Sequence, residues 1–195
     1  PGVFDFSDLD WYMDRARDYG AHVLLAVGQK TPRWPECHVP EWAKNLDPVA
    51  YNQAVQKYIA AVVRHYRDHA GLEMWQVENE PFLAFGKCPV MTAAELREEV
   101  ALVKDLDANH PTLVADSGEL SSWRVTGRAA DYFGTTVYRL VYDKYFGFME
   151  YKYIPVLFYR LKLALIGRDV KTAYLVELQA EPWFTRDASE ETAEQ

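Results

Sequence analysis

Residues 72–81 read Leu-Glu-Met-Trp-Gln-Val-Glu-Asn-Glu-Pro, and this stretch decides the fold. Its apolar residues fall on both faces of an extended chain, which is typical of a strand buried within a parallel sheet. The run then changes abruptly to acidic and amide side chains, and Pro81 cannot donate to a sheet. The sequence therefore predicts a buried parallel strand that brings Glu80 to its carboxyl end.

Similar apolar runs recur along the chain and are separated by segments with helical periodicity. The other predicted strands are residues 22–27, 112–115, 133–138 and 172–176. Apolar stripes at helical spacing lie within residues 9–19, 55–66, 96–103 and 155–166. Alternating strands and helices predict βαβ units and a parallel sheet.

Three helix starts carry capping signals. Asp47-Pro48 fits an N-cap followed by proline at the first helical position. Thr92 with Glu95 fits a capping box, and Ser7 with Asp10 resembles one. Each signal places a helix boundary where the apolar stripe begins.

The loops after the strands distinguish between the two parallel architectures. None is a glycine-rich phosphate loop, which disfavours a doubly wound nucleotide-binding sheet. Polar and aromatic residues instead follow nearly every strand, as in barrels that place their active sites there. We expect a single domain over residues 1–195 with the α/β architecture of a TIM (β/α)8 barrel.

Composition excludes several other classes. The net charge is −8 and no Lys/Arg cluster is present, so a nucleic-acid partner is not expected. No apolar run is long enough to span a membrane. The two cysteines and five histidines are not spaced as metal ligands, and we expect neither a metal nor a cofactor.

Two glutamates end predicted strands. Glu80 ends one strand, and Glu177 ends another that comes three strands later. In a closed barrel both carboxyls point into one mouth, where a retaining glycosidase holds them about 5 Å apart. The charge of Glu177 and partial exclusion of water should raise the pKa of Glu80. Glu181 is a rival nucleophile, but it lies beyond the strand.

A family resemblance supports this interpretation. Residues 75–81, Trp-Gln-Val-Glu-Asn-Glu-Pro, resemble the acid/base strand of the retaining (β/α)8 glycoside hydrolases. Residues 2–10 resemble the segment entering the second helix in families 5, 39 and 42. Residues 31–35, Thr-Pro-Arg-Trp-Pro, resemble the aromatic loop after strand three, most closely that of family 42.

The resemblance carries expectations about the barrel and its residues. It runs from about strand two to just past strand seven, which implies an incomplete barrel without the N-terminal strands and the last strand. It implies that Glu80 is the acid/base and Glu177 the nucleophile. It also implies that Asn79 binds the sugar 2-hydroxyl and that Tyr138 holds the nucleophile.

Further candidates for substrate binding lie in the loops at the mouth. Trp34, Trp123 and Trp183 are candidate platforms for sugar rings, although plain packing explains each of them equally well. His38 and Asp116 are candidate ligands for hydroxyl groups. The expected partner is an oligosaccharide, polysaccharide or other glycoside.

Cys37 and Cys88 follow consecutive strands, so their loops should emerge side by side. They either form a disulfide, which would indicate an extracytoplasmic protein, or remain two thiols of a cytosolic enzyme. Three functions also stay open. One is a glycosidase that cleaves β-linked glycosides with retention, and the second is a non-catalytic carbohydrate-binding barrel. The third is an α/β enzyme of other chemistry, in which Glu80 and Glu177 are unrelated.

Overall fold

The chain is organised around one parallel sheet. The computed structural model describes residues 2–33, 35–143 and 147–179. In chain order the elements are α1 (Ser7–Asp18), β1 (Val23–Val27), α2 (Pro48–Tyr66), β2 (Leu72–Asn79), α3 (Ala93–Leu106), β3 (Thr112–Asp116), β4 (Tyr132–Val137), β5 (Leu140–Asp143), β6 (Gly147–Glu150), α4 (Val156–Leu165) and β7 (Ala173–Leu178).

Five strands form this sheet in the order β1-β2-β3-β4-β7, and every neighbouring pair is parallel. All five strands predicted from the sequence are therefore confirmed, with boundaries shifted by one or two residues. Parallel strands in sequential order, most of them joined by α-helices, fit part of an α/β barrel. Because all five strands are parallel, the carboxyl ends of β2 and β7 lie at the same rim of the sheet.

Three apolar clusters cover the sheet. The largest lies between β1–β3 and helices α1–α3, with Met13, Ile59 and Val103 on the helices and Trp75 and Val77 on β2. A second cluster joins α4 to β4 and its preceding loop. A third, built on Met74, Leu113 and Ala115, includes the alternate residues of β2 and β3. Since Met74 and Trp75 belong to different clusters, both faces of β2 are buried, as its sequence predicts.

Two of the three capping signals are confirmed. Asp47 Oδ1 accepts hydrogen bonds from the first turn of α2, and Thr92 and Glu95 form a complete capping box on α3. The capping box at Ser7 is wrong, because Ser7 is already inside α1 and makes no such contact. Asp5 accepts the Ser7 backbone N–H at 3.0 Å instead.

Two features of the second half differ from strict strand–helix alternation. Only a short 3-10 turn, Thr126–Arg128, lies between β3 and β4. An antiparallel hairpin, β5–β6, is inserted between β4 and α4 and was not predicted. Leu24 on β1, together with Leu175 and Leu178 on β7, is exposed at the two edges of the sheet. Within the described ranges, no helix is both long and apolar enough to cross a bilayer.

Candidate active site

The carboxyl end of β2 departs from regular strand geometry. The pairing of β2 with β3 shifts register between Gln76 and Asn79, whose side chains share a 3.2 Å hydrogen bond. Residues three apart in a regular strand face opposite sides, so this contact indicates a bulge. Glu78 and Glu80 both have left-handed backbones, with φ of 66° and 46°. Strain of this kind is typical of functional positions and persists only when neighbours hold it.

Glu80 is held in a buried position at this rim. Its side chain is only 7% exposed, and Oε1 accepts a 2.7 Å hydrogen bond from the hydroxyl of Thr136 on β4. Burial raises the pKa of Glu80 to about 7, with the negative charges of Glu177 and Glu36 adding to it. Thr136 and Lys30 act in the opposite direction. The predicted rise is confirmed, but burial contributes more to it than Glu177 does.

Glu177 is the next-to-last residue of β7, opposite Thr136 in the β4–β7 register. The hydroxyl of Tyr138 donates a 2.6 Å hydrogen bond to Glu177 Oε2, which is the contact that the resemblance implies. Glu177 Oε1 is buried, and no donor among the described residues reaches it. One oxygen is therefore held, while the other has no hydrogen bond from the surrounding described residues.

Lys30 and Glu36 belong to this site but were not identified from the sequence. Lys30 is buried, and its Nζ donates to the backbone oxygens of Glu80 and Leu83 at 2.9 and 3.0 Å. Lys30 Nζ also lies 3.2 Å from Glu36 Oε2. The charge of Glu177 adds to burial in raising the pKa of Glu36. A lone lysine in a polar loop carries no sequence signal of burial, because only the fold supplies its partners.

Several predicted binding residues are placed by their contacts. Asn79 is buried, and its backbone N–H donates to the Lys30 carbonyl oxygen at 2.9 Å. Asp116 is also buried, and its Oδ2 accepts hydrogen bonds from the hydroxyl groups of Ser121 and Thr126 in the following loop, while Oδ1 accepts the backbone N–H of Ser117. His38 is exposed. Trp34, Trp183 and the rival Glu181 lie outside the described residues.

Trp123 is a core residue and not a sugar platform. Its side chain is fully buried, and its indole N–H donates to the Ser117 carbonyl oxygen at 2.7 Å. The ring packs against Phe133 and Tyr159, with Lys162 Nζ lying 3.9 Å from the ring centroid. Trp123 is buried because α4 covers the loop after β3, so its ring cannot stack on a sugar.

Cys37 and Cys88 are joined by a disulfide with a Cα–Cα distance of 5.1 Å. The bond links the loops after β1 and β2, which emerge from neighbouring strands. It also lines a cavity of about 790 Å³ that lies beside these loops and the starts of α2 and α3. His38, Tyr51 and Glu99 contribute to the walls of this cavity, whereas Glu80 and Glu177 do not.

Solved structures share this fold. An endo-β-1,4-xylanase of glycoside hydrolase family 10, described as psychrophilic, superposes with a TM-score of 0.62 at 16% identity, over 91% of this chain and 60% of that chain. For xylanase 10B from Thermotoga maritima the TM-score is 0.61 at 14% identity, over 89% and 55%. For a β-galactosidase from the psychrophilic Marinomonas ef1 it is 0.55 at 12% identity, over 71% and 34%.

These similarities concern the fold. The chain spans between about a third and three fifths of the length of these three proteins. No protein-family model matches the sequence, and no curated protein matches it.

Proposed function

We propose that this chain carries the catalytic residues of a retaining glycoside hydrolase that cleaves β-linked glycosides. The observation that supports this most directly is the pair of unequal carboxyls at one rim of the sheet. Glu80 is buried with a pKa raised to about 7, while Glu177 has one oxygen held by Tyr138 and one without a donor among the described residues. Carboxyls with different environments suit the separate roles of acid and nucleophile.

In the first step Glu177 attacks the anomeric carbon through Oε1 as the glycosidic C–O bond breaks. Glu80 donates its proton to the departing oxygen, so the leaving group departs as a neutral alcohol. The product is a glycosyl ester on Glu177. The hydrogen bond from Tyr138 fixes the carboxylate so that Oε1 faces the reacting carbon.

The second step reverses the proton transfer. Once Glu177 is esterified, its negative charge no longer raises the pKa of Glu80. Glu80, now ionised, accepts a proton from water while the water oxygen attacks the anomeric carbon and the ester bond breaks. Two displacements at one carbon give net retention. The carboxyl spacing of about 5 Å that retention requires stays a prediction.

The substrate proposal follows from the same arrangement. Asn79 is proposed to bind the sugar 2-hydroxyl and Tyr138 to border the reacting ring, with Trp34 and Trp183 as platforms and His38 as a hydroxyl ligand. Asp116 would act on substrate through the loop it holds, since its oxygens bind that loop. The similar structures named above are β-galactosidase and endo-β-1,4-xylanase, so β-linked glycosides are the first substrates to test.

The experiment is hydrolysis of 4-nitrophenyl β-glycosides of galactose, glucose and xylose by the full-length protein. Glu80→Gln and Glu177→Gln should each lower kcat/KM by at least about 100-fold. Glu73→Gln is the matched control, because Glu73 lies on β2, the strand that ends just before Glu80, but is exposed. Proton NMR of the first-formed anomer should show retention.

The alternative, a non-catalytic carbohydrate-binding barrel, predicts a different pattern. Sugar binding measured by calorimetry would persist while none of the three glycosides is turned over. Inverted product would instead contradict the nucleophilic role of Glu177.

The disulfide supports a proposal on location. Such bonds persist in oxidising compartments and are rare in the cytosol of most organisms. We infer an extracytoplasmic protein from the Cys37–Cys88 bond. Peptide mapping of the natural protein without reductant should recover the two cysteines as one linked peptide pair.

A further inference from the structure

Glu78 lies two residues before Glu80 but faces another part of the molecule. The bulge in β2 brings its fully buried carboxyl into contact with Glu99 of α3, which is itself buried. Gly28 leaves room for this carboxyl, because a Cβ at position 28 would lie 2.1 Å from Glu78 Oε1. Two acidic side chains therefore meet away from Glu80 and Thr136.

The two carboxyls have unequal surroundings. Glu78 Oε1 accepts the backbone N–H of Gln29 at 2.5 Å, and Oε2 accepts that of Lys30 at 2.9 Å. By contrast, Glu99 Oε2 is buried, and no donor within the described part of the chain reaches it. Donors stabilise an ionised carboxyl, whereas burial without donors favours the protonated form. A single proton on Glu99 would satisfy both groups, since a protonated carboxyl can donate to a carboxylate.

We propose that Glu78 and Glu99 form a proton-sharing pair, with Glu99 protonated and Glu78 ionised, that positions Glu80. This inference rests on the proposed function of Glu80. Glu78 fixes the backbone of Gln29 and Lys30, and Lys30 Nζ in turn donates to the backbone oxygen of Glu80. Glu78 and Glu99 are thus positioning residues that act on Glu80 through Lys30.

The charges around the pair are consistent with this distribution of the proton. Burial, Glu78, and the acidic Glu95 and Glu98 of the same helix all raise the pKa of Glu99. The pKa of Glu78 is also raised by burial, but the backbone donors and Lys30 oppose that rise. Tyr51 of α2 faces the pair, and burial and both carboxyls raise the pKa of its hydroxyl to about 12. Burial raises the pKa of Tyr58 of α2, and the charge of Glu78 adds to this rise.

The pair should make stability depend on pH. A carboxyl whose pKa is raised in the folded state stabilises the fold below its unfolded pKa, and this contribution is lost as pH rises through the folded pKa. Glu99→Gln keeps the shape and donates an amide N–H at every pH. Its melting temperature should therefore fall less than that of the wild type between neutral and alkaline pH.

The test uses the full-length protein and three readouts. First, the infrared carbonyl band of a protonated carboxyl should be present at neutral pH and lose intensity in Glu99→Gln. Second, the difference in melting temperature between neutral and alkaline pH should shrink in Glu99→Gln. Asp105→Asn is the matched control, because it removes an exposed carboxyl from the same helix that is not among the charges raising the pKa of Glu99, and it should alter neither readout.

The third readout concerns positioning. Glu78→Gln presents an amide N–H where a backbone N–H needs an acceptor, so it should lower kcat on an aryl β-glycoside by at least about 10-fold, with a smaller change in KM. Glu78→Asp, which keeps the charge but withdraws the carboxyl, should also lower kcat. It replaces Glu78→Gln in the test if that variant does not fold. Unchanged kcat in a folded variant overturns the positioning role.

The infrared and melting measurements need no substrate, so they test the proton-sharing pair even if glycosidase activity is absent. A band that Glu99→Gln leaves unchanged, or an unaltered pH dependence of its melting temperature, overturns the pair. Absence of activity in the wild type instead contradicts the proposed function.

Discussion

Thr136 Oγ1 lies 2.7 Å from Glu80 Oε1, although Thr136 is on β4 and Glu80 directly follows β2, with β3 between these strands. Thr136 also faces Glu177 in the register between β4 and β7. One buried threonine of β4 therefore contacts Glu80 and lies opposite Glu177 in the sheet. The hydroxyl donates to Glu80 and favours its ionised form, so Thr136 offsets part of the effect of burial on the pKa.

Thr136→Val should raise the pKa of Glu80 further, because it removes this donor while keeping the shape of the side chain. In the proposed mechanism Glu80 must be protonated in the first step, so the alkaline limb of the kcat/KM profile should move to higher pH. The profile should be measured on an aryl β-glycoside across neutral pH. Thr135→Val is the control, because the Thr135 hydroxyl donates to the Thr136 carbonyl oxygen and not to a carboxyl. A limb that stays in place or moves to lower pH would show that Thr136 does not tune Glu80.

Glu80→Gln should remove the alkaline limb and lower kcat/KM by about 10²–10⁴-fold, the usual contribution of general acid–base catalysis. It should also alter stability. The pKa of Glu80 rises from 4.5 to about 7 on folding, so the wild type loses stability as pH increases through this range. The neutral amide has no such loss, and the difference in melting temperature between the variant and the wild type should shift in favour of the variant as pH rises. A pH-independent difference would contradict the raised pKa.

Tyr138→Phe should lower kcat because it removes the 2.6 Å hydrogen bond to Glu177 Oε2. A hydrogen bond to a charged group contributes about 1.5–3 kcal/mol, which corresponds to a rate loss of roughly 10- to 100-fold if it is fully expressed in the transition state. Steady-state kinetics should show the loss mainly in kcat. Tyr159→Phe is the matched control, since it removes a hydroxyl bonded to Glu119. Equal losses in both variants would assign the effect to folding and not to Glu177.

Loss of the Cys37–Cys88 bond should lower the free energy of unfolding by about 3–4 kcal/mol on the chain-entropy model. The bond links residues that are 51 positions apart, so its removal frees a long loop in the unfolded chain. Urea unfolding with and without reductant measures the change. The Cys37→Ser/Cys88→Ser double variant should unfold like the reduced wild type and should not respond to reductant. Identical midpoints for oxidised and reduced wild type would contradict the prediction.

The sequence by itself determined the strands of the main sheet, the four helices and the two strand-end glutamates, but not the β5–β6 hairpin. Local signals were sufficient for this, because a doubly buried strand needs successive apolar residues and an N-cap needs an acceptor such as Asp47 or Thr92. The error at Ser7 shows the limit of such signals. Asp5 and Ser7 could each accept a backbone N–H at the start of α1, and they are two positions apart. Only the path of the chain decides which of them does so.

The tertiary structure alone decided which side chains contact the residues at the strand ends. The burial of Lys30, its contact with Glu36, and the hydrogen bond from Thr136 to Glu80 join residues from different strands and loops. The contact between Glu78 and Glu99 depends on a bulge that reverses the side on which one residue lies. Periodicity in a sequence reports which face of its own element a residue occupies. Periodicity does not report which distant residue faces that residue, because the partner is set by the register and curvature of the whole sheet.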